Sequence, residues 1–238
     1  MADTDPDQIG KTNQPLEWRD GDMPYSPAFG DHFYCQTDGR LECGHVFLAG
    51  NGLPERWQNH ASFLIGELGF GTGLNFAETW RQWKQHRVGG QHLHFMSFEL
   101  YPMQGDEIDR ALSHWSEIDI ERRALVAAWP TTPEGTVRLE LDDQTTLSVV
   151  CGQAIDGVAA AAPEFDAWYL DGFAPSRNAD MWSQELMQLV CAKTRLGGSF
   201  ATYAAAGFVR RNLIAAGFAV SRRSGFAGKR EMLCGVKS

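Results

Sequence analysis

The chain has 238 residues, 43% hydrophobic, 11% aromatic and 21% charged, a composition that fits one globular domain with a small appendage and excludes disordered, collagen-like and coiled-coil classes. Its 30 acidic residues outnumber 21 Lys and Arg, for a net charge of −9, and as a single figure this argues against a general nucleic-acid binder. The charge is polarised, however: residues 193–238 carry nine basic side chains and one acidic one, so that segment is +8 and residues 1–192 are −17.

Taken in chain order, residues 1–15 read as a polar leader. From Leu16 to about residue 60 the text is short, aromatic and rich in turn residues, and Phe33-Tyr34 and His45–Leu48 flank Asp38-Gly39 as the strands of a hairpin would. Residues 16–60 are therefore expected to form a small β-rich cap. A strand–helix alternation follows over residues 61–238. Ser62–Leu68 is an apolar run ending at Gly69, a buried strand, and Leu74–His86 sets Phe76, Ala77, Trp80 and Trp83 at helical spacing. Leu93–Leu100 is a second strand, broken by Pro102. Asp106–Trp115 and Ile118–Trp129 are predicted helices, and Thr136–Leu141 with Thr145–Cys151 a hairpin around Asp142-Asp143. Phe165–Leu170 is the next strand, stopped by Asp171-Gly172. Asp180–Thr194 then reads as a helix, Gly198–Tyr203 as a strand and Ala205–Ala216 as a helix closed by Gly217. Phe218–Arg223 and Arg230–Val236 close the chain as a strand pair. The alternation predicts an α/β fold, a Rossmann-like parallel sheet covered on both faces. Two final strands with no helix between them add an antiparallel edge, which matches the seven-stranded sheet of class I methyltransferases.

Five cysteines, an odd number without a C-x-x-C pair, argue against a disulfide framework or a zinc site and fit a reducing cytosol. His92 and His94 alternate along a strand, but two ligands without a third make no metal site. The acidic N-terminus lacks the pattern of a signal peptide, and no run approaches the ~18 apolar residues of a membrane helix. A cytoplasmic protein with no metal and no membrane contact is expected.

The first stretch that carries chemistry is Glu67-Leu68-Gly69-Phe70-Gly71-Thr72-Gly73, between the first strand and the first helix of the alternation. Glycines there let the chain turn sharply and let a ligand approach the backbone, at the strand ends where open α/β sheets bind ligands. A dinucleotide fingerprint would need a third glycine where Leu74 stands. The pattern E-x-G-x-G-x-G suits S-adenosylmethionine instead, which has no pyrophosphate and whose ammonium Glu67 could meet. Glu99 ends the second strand, 26 residues after Gly73, where a carboxylate can accept both ribose hydroxyls. Gln153, in Cys151-Gly152-Gln153-Ala154, can accept from an adenine amino group. Asp171 ends the fourth strand, where a carboxylate can bind an alkylammonium, orient it and take its proton. Each position also has a plainer use as turn, cap or solvated strand end.

With these motifs the chain resembles the methyltransferase domain of the bifunctional proteins of tRNA 5-methylaminomethyl-2-thiouridine biosynthesis and its stand-alone relatives. The resemblance runs from about Leu16 to Val236. It rests on Phe47–Asn51, Glu67–Phe76, Ser97–Glu99 with Pro102, Asp171–Trp182, Ala206–Arg211 and Gly228–Gly235. It implies S-adenosylmethionine as cofactor, with contacts at Glu67, Gly69, Phe70, Gly71, Thr72, Gly73, Asn75, Glu99, Gln153, Ala154 and Asp171. It implies methylation of the exocyclic amine of 5-aminomethyl-(2-thio)uridine at the tRNA wobble position, with Asp171 catalytic at that amine. Phe173 and Pro175 would shape the substrate pocket and Asn51 face it from the cap. Arg210, Arg211, Lys229 and Arg230 would meet tRNA phosphates while a flipped base enters the pocket. Gln153 departs from the Gly-Asp usual at the third strand. The flavin-dependent (FAD) oxidase domain of the bifunctional proteins is expected to be absent, leaving the methylation step alone. Two other readings stay open: an amine methyltransferase acting on a small molecule or peptide, and a non-catalytic tRNA-binding module.

Overall fold

The computed structural model describes residues 15–19, 21–162 and 164–238, so the leader expected at 1–15 lies outside the described residues except for Pro15. A small antiparallel sheet comes first, with β1 (Glu17–Arg19), β2 (Met23–Ser26) and β3 (Asp31–His32) in that order. The expectation of a hairpin around Asp38-Gly39 is wrong. Asp38 Oδ1 instead accepts the Leu41 N–H at 3.0 Å and so caps a helix, α1 (Gly39–Cys43), which runs on as a π-helical turn over Gly44–Leu48. The same oxygen accepts the Trp115 indole N–H, 77 positions away in sequence. Short 3₁₀ turns at Ala49–Asn51 and Glu55–Asn59 complete the segment, so only Glu17–His32 of the expected β-rich cap is sheet. Spacing explains the outcome: Cys43, Val46 and Phe47 recur every three to four residues and are all buried.

The main sheet has the order β10-β11-β9-β8-β4-β5-β7-β6. Five strands form its parallel centre: β4 (Ser62–Leu68), β5 (His92–Glu99), β7 (Thr145–Cys151), β8 (Phe165–Leu170) and β9 (Thr194–Thr202). On one edge β10 (Phe218–Ser224) and β11 (Glu231–Lys237) pair antiparallel, as the missing helix between them predicted. On the other edge β6 (Thr136–Asp142) folds back on β7 as the expected hairpin, which brings the sheet to eight strands where the class I pattern has seven.

Helices α2 (Leu74–His86), α3 (Gly105–Leu112) and α4 (Asp119–Ala128) lie along the β4–β7 half of the chain, and α5 (Ala154–Ala160), α6 (Gln184–Ala192) and α7 (Gly207–Ala216) follow. The single helix expected over Asp180–Thr194 is broken at Ser183, whose Oγ accepts the Leu186 N–H and starts α6 after a 3₁₀ turn at Ala179–Trp182. Strand β4 shows how the layers form. Phe63 and Ile65 enter the core shared with α2 and the helical part of the cap, whereas Leu64 and Leu68 enter the core shared with α5, α6 and α7. Glu67 keeps the period of Phe63 and Ile65, so its carboxylate is carried into the α2-side core at 0% exposure. Strand order reverses between β4 and β8, which run parallel with Leu68 opposite Leu170. The residues after these two, Gly69 and Asp171, therefore meet at the switch point of the sheet.

Candidate active site

A cavity of about 990 Å³ opens at this switch point. Its floor is the glycine loop. Gly69 takes φ +89° and packs so closely on β8 that a Cβ there would sit 2.9 Å from the Asp171 carbonyl oxygen, so only glycine fits. Gly71 takes φ +52° and donates its N–H to Glu99 Oε2 at 2.9 Å. Glu99 Oε1 accepts the Tyr101 N–H at 2.8 Å. Burial pushes the Glu99 carboxyl up, while the surrounding backbone N–H groups pull it back. A carboxylate has about four acceptor sites, and the Gly71 and Tyr101 hydrogen bonds occupy two of them.

Asp171 is the group of most chemical interest. Burial pushes its carboxyl from 3.8 up to about 7, with the nearby Glu42 carboxylate adding to the rise and the Asn75 hydrogen bond and the Lys229 ammonium opposing it. Asn75 Nδ2 donates both hydrogens, one to Asp171 Oδ2 at 2.7 Å and one to Glu67 Oε1 at 3.0 Å, and so holds two carboxylates apart. Glu67 is also fixed by the Ser97 hydroxyl at 2.7 Å, and its complete burial pushes its carboxyl well above the ordinary range.

Nine of the eleven residues expected at the cofactor line this cavity: Gly69, Phe70, Gly71, Thr72, Asn75, Glu99, Gln153, Ala154 and Asp171. Two do not. Glu67 lies behind Asn75, in the core, where it orients that amide rather than presenting its own oxygens. Gly73 opens α2 at φ +77°, and a Cβ there would lie 2.9 Å from the Phe70 ring, so its part is conformational. Gln153 is exposed on the wall, the departure from Gly-Asp noted above, with its amide open to a ligand.

The expected substrate residues divide in the same way. Phe173 and Lys229 line the cavity. Asn51 does not: it is 2% exposed, donates to the Phe47 and Trp168 carbonyls and accepts the Ser199 hydroxyl at 2.6 Å, tying the helical cap to β8 and β9. Pro175 lies outside the cavity lining, as do Arg210 and Arg211 on α7 and Arg230 in the β10–β11 loop. Arg211 and Arg230 are exposed and Arg210 is half-buried.

Several residues at the site were not found by sequence reasoning. Phe29 stacks on Phe173 with centroids 4.6 Å apart, and Phe33 meets the same ring edge-on at 5.1 Å. Asp31 accepts the Ala174 N–H at 3.0 Å, and the Arg177 guanidinium donates to the Gly30 carbonyl, so the small sheet is clamped over the loop after β8. Glu42 comes from α1, and the Tyr203 hydroxyl donates to the Gly172 carbonyl. Among the described residues no cluster of three or more His, Cys, Asp or Glu side chains is placed to hold a metal ion, and no helix is long and apolar enough to cross a membrane.

A reversed parallel sheet with an antiparallel β11 beside β9, a glycine turn after its first parallel strand and a carboxylate ending the second define a class I methyltransferase. A family model described as S-adenosyl-L-methionine-dependent methyltransferase matches residues 116–238, and the chain belongs to that family, with S-adenosylmethionine as its cofactor. It is similar to the tRNA 5-methylaminomethyl-2-thiouridine biosynthesis bifunctional protein MnmC of Chromohalobacter salexigens, 42% identical over 226 residues, which are 92% of this chain and 32% of that protein. The protein of the same name from Burkholderia multivorans is 42% identical over 224 residues, 92% of this chain and 34% of that one. The chain thus spans about a third of the length of these curated relatives. The crystal structure of MNMC2 from Aquifex aeolicus matches with a TM-score of 0.76 at 18% identity, over 97% of this chain and 72% of that one, a likeness of fold.

The residues present fit the cofactor. The Gly69–Gly71 backbone provides a cradle that a side chain would fill, Glu99 offers a carboxylate that could accept from ribose hydroxyls, and Gln153 lines the same cavity with an amide that could accept from an adenine amino group.

Proposed function

We propose that this chain methylates the exocyclic amine of 5-aminomethyl-(2-thio)uridine at the wobble position of tRNA, giving the 5-methylaminomethyl product. The observation that carries the reading is Asp171, a half-buried carboxylate on the cavity wall whose pKa is pushed up to about 7 beside the glycine loop. The names of the relatives support the choice of substrate.

When bound, S-adenosylmethionine supplies a methyl group activated by a positively charged sulfur. An alkylamine must be neutral to attack it, yet such an amine titrates near ~10.4 and is protonated at pH 7. Transfer of its proton to a carboxylate of ordinary pKa 3.8 would run uphill by roughly 6–7 units, about 9 kcal/mol. With Asp171 at about 7 the gap is roughly 3 units, about 4–5 kcal/mol. Burial thus removes about half of the thermodynamic barrier to making the nucleophile. Asn75 aims the carboxylate from one side, leaving Asp171 Oδ1 to receive the ammonium. With the cofactor bound, the freed nitrogen lone pair would form the new N–C bond as the C–S bond broke, the bonding pair staying on sulfur. The balance is a secondary ammonium, a neutral thioether and one proton released through Asp171.

The exposed Arg211, Arg222 and Arg230, with half-buried Arg210, would meet tRNA phosphates, and Phe173 would bound the pocket for the flipped base. In this reading the protein works in the cytoplasm, needs no metal and receives tRNA that already carries the primary amine. The test is mass spectrometry of wobble nucleosides from undermodified tRNA before and after incubation with the purified chain and cofactor. A mass gain of one CH₂ on 5-aminomethyluridine is expected. With isotope-labelled cofactor in the same incubation, label appearing only on protein or small molecules would favour the other amine methyltransferase reading.

A further inference from the structure

An enzyme that methylates an amine has to gather an ammonium, and this cavity already contains one of its own. Lys229, in the loop joining β10 and β11, sets Nζ 2.8 Å from Glu42 Oε1 and 4.5 Å from the centroid of the Tyr203 ring. A carboxylate on one side and an aromatic face on the other form a favourable setting for an alkylammonium. The two partners are held in place. Glu42 lies on α1 with its side chain 11% exposed, and Tyr203 is tethered through its hydroxyl to the Gly172 carbonyl, in the turn that carries Asp171. Lys229 is far less constrained: its side chain is 45% exposed, and Ala227 and Gly228 before it take φ +48° and +81° in a tight exposed turn. Glu42, Asp171, Tyr203 and Lys229 all line the one cavity.

The energetics favour exchange over simple removal. A carboxylate as buried as Glu42 is strongly destabilised without a cation, so stripping Lys229 away alone is unfavourable. Replacing one ammonium by another leaves the charge balance at Glu42 unchanged.

We propose that Glu42 and Tyr203 form the ammonium-binding half of the amine subsite, and that Lys229 fills it in the free enzyme as a tethered stand-in which the aminomethyl ammonium of the substrate displaces. The proposal rests on the reading of the chain as an amine methyltransferase and deepens it. It supplies selectivity: only the aminomethyl form gains from the Glu42 and Tyr203 subsite, and a uridine without the ammonium binds without displacing Lys229. It also gives Lys229 a role distinct from that of a phosphate contact.

The test is fluorescence anisotropy with two labelled anticodon stem-loops, one carrying 5-aminomethyluridine at the wobble position and one carrying uridine, on the protein saturated with S-adenosylhomocysteine. The quantity read is the ratio of their affinities. Lys229→Met is expected to raise the preference for the aminomethyl form about 10-fold, and Glu42→Gln to remove it. A phosphate contact at Lys229 would instead weaken both stem-loops equally and leave the ratio unchanged, which would overturn the proposal. The double variant E42Q/K229M leaves no buried unpaired charge and guards against misfolding. It should melt like the wild type and show no preference, and a retained preference would also refute the idea. If the wild type neither methylates nor prefers the aminomethyl stem-loop, the tRNA reading fails. Benzylammonium titrated calorimetrically then reads the subsite by itself, binding more tightly to K229M and more weakly to E42Q if the assignment is right, and equally to all three if it is wrong.

Discussion

Replacing Asp171 by Asn should make the protein more stable and nearly inactive at once. Burial moves the Asp171 carboxyl from 3.8 in the unfolded chain to about 7 in the fold. Below pH 3.8 both states hold the proton and the group is neutral toward stability. Between the two values the native state keeps a proton that the unfolded chain has released, so stability falls as pH rises, and above 7 the full penalty applies. Linkage gives a penalty of about 1.7 kcal/mol at pH 5 and about 4 kcal/mol at pH 8. Asn has the same shape, no charge, and an oxygen that can still accept from Asn75. Thermal melts should therefore show Asp171→Asn raising Tm on the order of 5–10 °C at pH 8 and less than half as much at pH 5. Single-turnover methyl transfer to tRNA should fall by about 10²–10⁴, the usual worth of a general base, while the cofactor Kd by calorimetry changes little. A variant less stable than the wild type at pH 8, or one that turns over within tenfold of it, would refute the assignment of Asp171 as a base of raised pKa.

In the wild type, kcat/KM for tRNA should decline as pH falls below about 7, as Asp171 takes up its proton. Asn75→Ala removes a hydrogen bond that holds that pKa down, so the acid limb of the same profile should move to higher pH; an unmoved limb would mean that Asn75 does not tune Asp171. Glu99→Gln should weaken S-adenosylmethionine binding by roughly 10- to 100-fold, the effect of about 1.5–3 kcal/mol lost from hydrogen bonds to a charged acceptor, with tRNA affinity kept. Calorimetry showing an unchanged cofactor Kd would remove Glu99 from the ribose. Replacing Arg211 and Arg230 together by Ala should raise KM for tRNA without altering that for the cofactor, and should flatten the salt dependence of tRNA binding by about two charges. Equal effects on both KM values would place these residues elsewhere in the mechanism.

Much of the site was legible because its parts are local or follow from the sheet. Glycines at a strand end, Glu99 at the next strand end and Asp171 at the fourth all fall on one edge once the strands run parallel, and no side-chain detail is needed to see it. The same reasoning misplaced Glu67 and Asn51, because a motif shows that a polar residue is close to a ligand site but not which way the backbone turns it. The strand period carries Glu67 into the core beneath Asn75, and Asn51 is occupied by β8 and β9. Asp38-Gly39 failed for a related reason. That pair serves a hairpin turn or a helix cap equally well, and the indole of Trp115, 77 positions on, helps to fix which.

By itself, the sequence determined the alternation of strands and helices, the antiparallel edge, the glycine cradle and the aspartate at the switch point. These are written in apolar periods and turn residues that act over a few positions. Only the tertiary structure decided the far wall of the cavity, where Asp31 meets Ala174 across 143 positions and Glu42 meets Lys229 across 187. It also decided the basicity of Asp171. A pKa of about 7 is a property of burial and of the charges that folding assembles around a carboxylate, and no neighbour in the chain records it.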